Sequence, residues 1–358
     1  MKRLLVLLAL LLAVGLPAHA EMDGECVYTL FSADGRELTM RAGRMYVGDE
    51  YISGDDRLYR VASVDDEART AIAEYVGEAS VDEAAATAFA SLIARAESEK
   101  KIAMYSTHSD ESYVPSDGES SKLEDAGIYD VGEALAESFE ERGIDAVYSR
   151  ETFHPHDAGA YRRSRRTAEE LLKDGPDALL DIHRDAIPAE QYETEVDGED
   201  VSMVRLFVGR SNPNGDENRA FAQQIKAVAD EEYPGLIKDI YIGKGNYNQE
   251  LYPRALLLEM GTHAMEKEKA MASADYIADV ISQVLYGESA VAEEKGAADS
   301  GVASGVFWVI GAVIVIAVIY ALASTGRLSA IWGKIRRTAS EMTGGAAGKK
   351  PDRSDRER

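Results

Sequence analysis

From residue 101 onward, short apolar runs alternate with longer amphipathic stretches. This alternation limits the fold more than any other feature of the chain. The runs at 102–105, 145–148, 178–182, 203–208 and 255–258 are too short for buried helices and read as buried strands. The stretches at 130–142, 161–173, 216–232 and 266–285 carry helical spacing. Strands alternating with helices predict an α/β domain over 99–287, built as a mostly parallel sheet covered by helices on both faces. Sheets of that kind bind ligands beyond the carboxyl ends of their strands, so reactive groups are to be sought there.

Three strand ends carry suitable groups. The run at 102–105 opens into THSDESYVPSDG, which sets His108 and Glu111 three residues apart, so that a single turn can bring both onto one divalent metal. The run at 178–182 delivers His183, flanked by Asp181, Arg184 and Asp185. Either aspartate can orient the imidazole through its second ring nitrogen. The run at 255–258 delivers Glu259. A carboxylate closing a buried strand needs a partner or a raised pKa, and it suits a general base that takes a proton from water. Together these groups read as a zinc hydrolase site, with His108, Glu111 and His183 as candidate ligands and Glu259 as the candidate base. Glu133, at the opening of the helical stretch VGEALAE, is the alternative carboxylate ligand. His156, in the cluster FHPHD, is a candidate metal or substrate contact. Arg184 and Arg254 are candidates to bind a substrate carboxylate or a developing oxyanion. Each has a plainer alternative: a loop histidine bonded to backbone, a solvated helix glutamate, or a buried ion pair of Glu259 with Arg254.

Composition narrows the partners. A net charge of −25 argues against nucleic acid, since phosphate binding needs a basic surface. The single cysteine, Cys26, rules out an internal disulfide and a cysteine-rich zinc site, leaving histidine and carboxylate as ligands. Residues 1–20 read as a cleavable signal peptide: Lys2 and Arg3, an apolar stretch, then Ala18-His19-Ala20. Residues 21–78 read as a small all-β module, with Asp34-Gly35 as a hairpin signal. A connecting helix is expected at 79–98 and an acidic linker at 288–304. Residues 305–324 are apolar, at about the 20 residues that span a bilayer, with Trp308 and Tyr320 near the ends. Acidic residues precede this segment, and Arg327, Lys334, Arg336 and Arg337 follow it. The positive-inside rule then predicts a single-pass cell-membrane protein with an extracytoplasmic catalytic domain and a cytoplasmic C-terminus. Residues 325–358 read as a basic, disordered tail.

Four ordered blocks, THSDESYVPSDG, LLDIHRDAIP, VGRSNPNGDENRAFA and YNQELYPRALLLEMGTHA, resemble the signature blocks of the stage II sporulation protein P family. The resemblance covers about residues 101–285. It implies an amidase-like fold and a zinc-dependent N-acetylmuramoyl-L-alanine amidase acting on peptidoglycan during forespore engulfment. It also implies His108 and His183 as metal histidines, Glu111 as the carboxylate of the first block and Glu259 as the catalytic glutamate. In the related amidases the carboxylate ligand opens the following helix, which keeps Glu133 in play. The resemblance further implies a second cut within the peptide cross-link and partnership with the stage II sporulation D and M proteins. Ser106 stands where the family often has another histidine, and the expected membrane anchor is C-terminal rather than N-terminal. Two other readings fit the same residues: a zinc carboxypeptidase or endopeptidase on wall peptides, and a non-catalytic wall-binding scaffold.

Overall fold

The computed structural model describes residues 26–79 and 100–287. The expected signal peptide, most of the expected connecting helix, the linker, the span at 305–324 and the tail lie outside them. One sheet of eleven strands dominates. In chain order its strands are β1 (Val27–Ser32), β2 (Glu37–Ala42), β3 (Glu50–Ile52), β4 (Arg57–Asp65), β5 (Thr70–Glu78), β6 (Lys101–Tyr105), β7 (Asp145–Tyr148), β8 (Ala178–Asp185), β11 (Val204–Gly209), β12 (Ile237–Gly243) and β13 (Ala255–Thr262). Between β8 and β11, β9 (Glu193–Val196) and β10 (Glu199–Ser202) form a separate hairpin. Four long helices are described: α1 (Gly127–Glu140), α2 (Ala160–Leu171), α3 (Gly215–Glu232) and α4 (Lys267–Tyr286).

The strand order is β2-β1-β5-β4-β3-β12-β11-β13-β8-β6-β7. Strands β13, β8, β6 and β7 run parallel. Strand β11 runs against β13, β12 runs with β11, and β3 runs against β12. The sheet is therefore mixed. This corrects the expected fold class, a mostly parallel sheet covered by helices on both faces and preceded by a separate all-β module. Apolar runs record burial but not direction: VRLFVG in β11 is buried throughout, as a parallel core strand would be, yet pairs antiparallel with β13. Among the described residues no helix is long and apolar enough to cross a membrane; the expected span at 305–324 lies outside them.

The two sheet faces differ. Leu180, Ile182, Leu206, Leu256 and Leu258 pack with Phe139 of α1, Phe221 of α3 and Ile277 of α4 in the main core. Alternate residues point the other way, as the period of two in a strand requires. There Ala103, Tyr105, Leu179 and Ala255 meet Ala160 and Ala168 of α2. Further along that face, Phe207, Tyr241 and Leu257 share a core with Tyr28, Leu30, Tyr51, Tyr59, Val61 and Ala71 of the N-terminal strands. The N-terminal strands thus extend the main sheet and cover part of its second face, where helices were expected. Their first turn follows the Asp34-Gly35 signal: Gly35 sits at φ +85°, and the Ser32 hydroxyl donates to Asp34.

Candidate metal centre

The centre lies at the carboxyl ends of β6, β8 and β13. The parallel register of β6 and β8 sets Tyr105 beside Asp181, and the chain leaving β6 crosses the end of β8. Thr107 anchors that crossing: its amide donates to Asp181 Oδ1 at 2.8 Å and its hydroxyl to Asp181 Oδ2 at 2.7 Å. The loop beyond is tied down by backbone bonds, Lys122 N to Asp110 O and Ile128 N to Glu111 O among them. Arg184 completes the tie, with Nε donating to Ser112 O at 3.2 Å and Nη2 to Ser120 O at 2.8 Å. His108 and Glu111 are thereby buried at 1% and 2% exposure.

His108, Glu111 and His183 each offer one ligand atom within 4.8 Å of the others. Glu111 Oε1 lies 3.3 Å from His108 Nδ1 and 3.5 Å from His183 Nδ1. Its other oxygen accepts the Arg184 amide at 2.9 Å. His183 Nε2 stands 2.9 Å from Asp181 Oδ1, off the line of a good hydrogen bond. So one oxygen of Glu111 is engaged from behind, one nitrogen of His183 faces the Asp181 carboxylate, and the remaining atoms converge. Neither ring nitrogen of His108 makes a hydrogen bond of good geometry. Two buried imidazoles with uncommitted ring nitrogens and one oriented carboxylate could hold a divalent metal ion.

The electrostatics favour these roles. Burial lowers the pKa of His108, and neighbouring His156 lowers it further, so its imidazole is neutral as a ligand must be. Burial alone would raise Glu111, but His183 and Arg184 outweigh it and hold the carboxyl well below its usual range. Burial likewise works against charge on His183, yet Asp181 and Glu111 overcome it and raise that pKa well above the ordinary value. A cation would take the place of that proton.

Glu259 occupies the register position beside His183 on the neighbouring parallel strand, so both side chains leave the same face. It is 6% exposed. Two residues on, Gly261 takes φ +75°, where a Cβ would come within 2.6 Å of Met265 Sδ and 2.7 Å of Ser202 Oγ. The strand register shifts between Glu259 and Thr262, so this glycine lets β13 bend away just past the carboxylate.

The other expected residues fall in different places. His156 reaches the centre: its ring stacks on His108 at 4.0 Å between centroids, and its Nδ1 lies 3.1 Å from Asp110 Oδ1. Glu133 does not; it sits half exposed on α1, paired with Arg150. The alternative carboxylate is therefore set aside, because that face of α1 turns to solvent. Arg254 sits at the opposite end of β13 from Glu259, near Tyr252 Oη at 3.2 Å and Asp177 at 3.6 Å. Arg184 spends much of its guanidinium on loop carbonyls and so braces the site. Sequence reasoning missed Tyr161, whose ring is edge-on to His108 at 5.4 Å and near-parallel to His183 at 6.3 Å. An aromatic in the first turn of a helix, as in AGAYRR, is common enough to carry no signal. It also missed Arg205, whose only mark was a charge inside the apolar run at 203–208.

The sequence pattern of the family described as stage II sporulation protein P (SpoIIP) matches residues 55–282. The chain belongs to the SpoIIP family. A curated relative, stage II sporulation protein P of Bacillus subtilis (strain 168), is 27% identical over 216 residues, which cover 55% of this chain and 54% of that protein. The chain thus spans about half the length of the curated relative it matches. Among solved structures, the apo form of the N-acetylmuramyl-L-alanine amidase Ami1 from Mycobacterium abscessus is 14% identical, covering 52% of this chain and 96% of that one, with a TM-score of 0.33. An N-acetylmuramoyl-L-alanine amidase from Clostridium difficile 630 is 16% identical, covering 55% and 99%, with a TM-score of 0.34. Scores of this size decide nothing about chemistry. The SpoIIP family match accords with the resemblance carried by the four sequence blocks.

Proposed function

We propose that this SpoIIP-family chain is a zinc-dependent N-acetylmuramoyl-L-alanine amidase. It would separate the stem peptide of peptidoglycan from the glycan, working outside the cytoplasm. The observation that carries the proposal is the convergence of His108, Glu111 and His183 at strand ends, with Glu259 on the strand beside His183. His108 Nδ1, His183 Nδ1 and Glu111 Oε1 would hold the metal. Bound there, zinc would supply Lewis acidity to the scissile carbonyl and to the attacking water. Glu259 takes a proton from that water and returns it to the departing L-alanine amine. Asp181 and the Arg184 amide keep the ligand atoms aimed, and Tyr161 walls one side of the histidine pair.

A carboxypeptidase would need an arginine aimed at a terminal carboxylate. Arg254 stands at the far end of its strand and Arg184 braces the loop, so neither supports that reading. The stage II sporulation D and M proteins belong to the same proposal as partners, to be tested by copurification. The reaction itself is tested by mass spectrometry of purified peptidoglycan incubated with the chain, with and without chelator. Free stem peptides with an L-alanine amino end should appear, and only without chelator. Cleavage elsewhere in the peptide, or intact material in both samples, would refute the amidase assignment.

A further inference from the structure

Beside the metal centre lies a second cluster of buried charge that the proposed reaction does not use. Arg205, 1% exposed, is the cross-strand register partner of Glu259. Its Nη1 donates to Asp185 Oδ2 at 2.9 Å, and Asp185 stands two residues beyond His183 on β8. Its Nε and Nη2 donate to the two oxygens of Asp239 at 2.6 and 3.0 Å. The remaining bonds of Nη2 leave the central strands: Thr39 Oγ1 at 2.7 Å and Met40 O at 2.8 Å, both on β2. The Thr39 hydroxyl also accepts from Lys238 Nζ at 3.1 Å and donates to Asp239 Oδ2 at 3.2 Å. Ala42 N, further along β2, points at Asp185 Oδ1 at 3.4 Å. A hydroxyl only 1% exposed that accepts twice and donates once has its capacity filled by this cluster.

We propose that Thr39 and Arg205 form a clamp through which the β1–β2 hairpin fixes the strand ends that carry His183 and Glu259. Arg205 grips the end of β8 through Asp185, while its own backbone pairs with β13 at Glu259. The hairpin supplies the third point of attachment. Thr39 and Met40 precede the segment that matches the family, which begins at residue 55. The hairpin is then a working part of the site, and Thr39 and Arg205 are positioning residues. Low-dielectric surroundings make such a network sensitive to one missing partner, because each group left without one stays buried.

For its catalytic readout this inference rests on the proposed amidase reaction. The test compares Thr39→Val, Thr39→Ser and Val61→Ala in the full chain. The valine at 39 keeps the shape and removes the hydroxyl, and the serine keeps the hydroxyl. Val61→Ala loosens the same N-terminal core from β4, away from the Thr39 register position. Release of peptide from a soluble N-acetylmuramoyl-peptide gives kcat and KM, and hydrogen exchange follows residues 183–187 and 259–263. Thr39→Val should lower kcat about tenfold at unchanged KM and speed exchange at both strand ends, with Thr39→Ser restoring both. Val61→Ala should lower the melting temperature while kcat stays near wild type. Unchanged kcat and exchange in Thr39→Val, or the same losses in Val61→Ala, would overturn the clamp. If the wild-type chain releases no peptide, the amidase reading fails by itself and exchange alone decides. Acceleration confined to the hairpin then overturns the clamp, and acceleration reaching 183–187 supports it.

Discussion

Glu111 presents one oxygen to the two histidines because the other is taken by the Arg184 amide at 2.9 Å. Asp181, anchored by Thr107, sets its carboxylate 2.9 Å from His183 Nε2 on the far side of the ring. Removing such a partner should loosen the metal more than the fold. Asp181→Asn is expected to weaken zinc binding about 10- to 100-fold, measured by competition with a chromogenic chelator. At this scale much was legible in the sequence. His108, His183 and Glu259 each stand out as a polar group following an apolar run, Glu111 stands out by its three-residue spacing from His108, and the structure brings His108, Glu111 and His183 together. Arg254 precedes β13, so it lies at the end of that strand away from Glu259. Glu133 failed because it lies on the solvent side of its helix.

Helices were legible and sheet direction was not. The stretches read as helical at 130–142, 161–173, 216–232 and 266–285 correspond to α1 to α4. Strand β12 went unread because Lys238 and Asp239 interrupt its apolar run, and only their burial against Arg205 explains them. Burial would raise Asp239, but Arg205 and Lys238 outweigh it and hold its pKa down at about 2. A depressed carboxylate stabilises the fold above its unfolded pKa of about 3.9, and that contribution fades as pH falls toward 2. Acid titration followed by circular dichroism should therefore show wild type losing about 2 kcal/mol between about pH 4 and pH 2 that Asp239→Asn lacks. Gly132 in α1 gives a second test. A Cβ there would overlap the Tyr148 ring, which packs the helix against the edge strand β7. Gly132→Ala should cost about 1–3 kcal/mol by overpacking, read as a lower denaturant midpoint.

For the whole molecule, the N-terminal strands are the main surprise. They read as a module of hairpins, and their hairpin turn is where Asp34-Gly35 placed it. What the sequence could not show was that Phe207, Tyr241 and Leu257 share their core. Such a contact joins residues far apart in the chain, and no periodicity records it. Metal binding should be felt across this shared structure. Saturating zinc, at about a thousand times its dissociation constant, should stabilise the folded chain by about 4 kcal/mol. The melting temperature should fall on chelation, whereas His183→Ala should melt alike with and without chelator.

The account turns on Glu259 acting on the reaction rather than holding the metal. Zinc content and peptide release measured on one preparation of Glu259→Gln test it most directly. The variant should keep wild-type zinc while release of L-alanine-terminated peptides falls by about 10²–10⁴-fold, the usual contribution of a general base. Release at the wild-type rate, or loss of zinc with loss of activity, would contradict it.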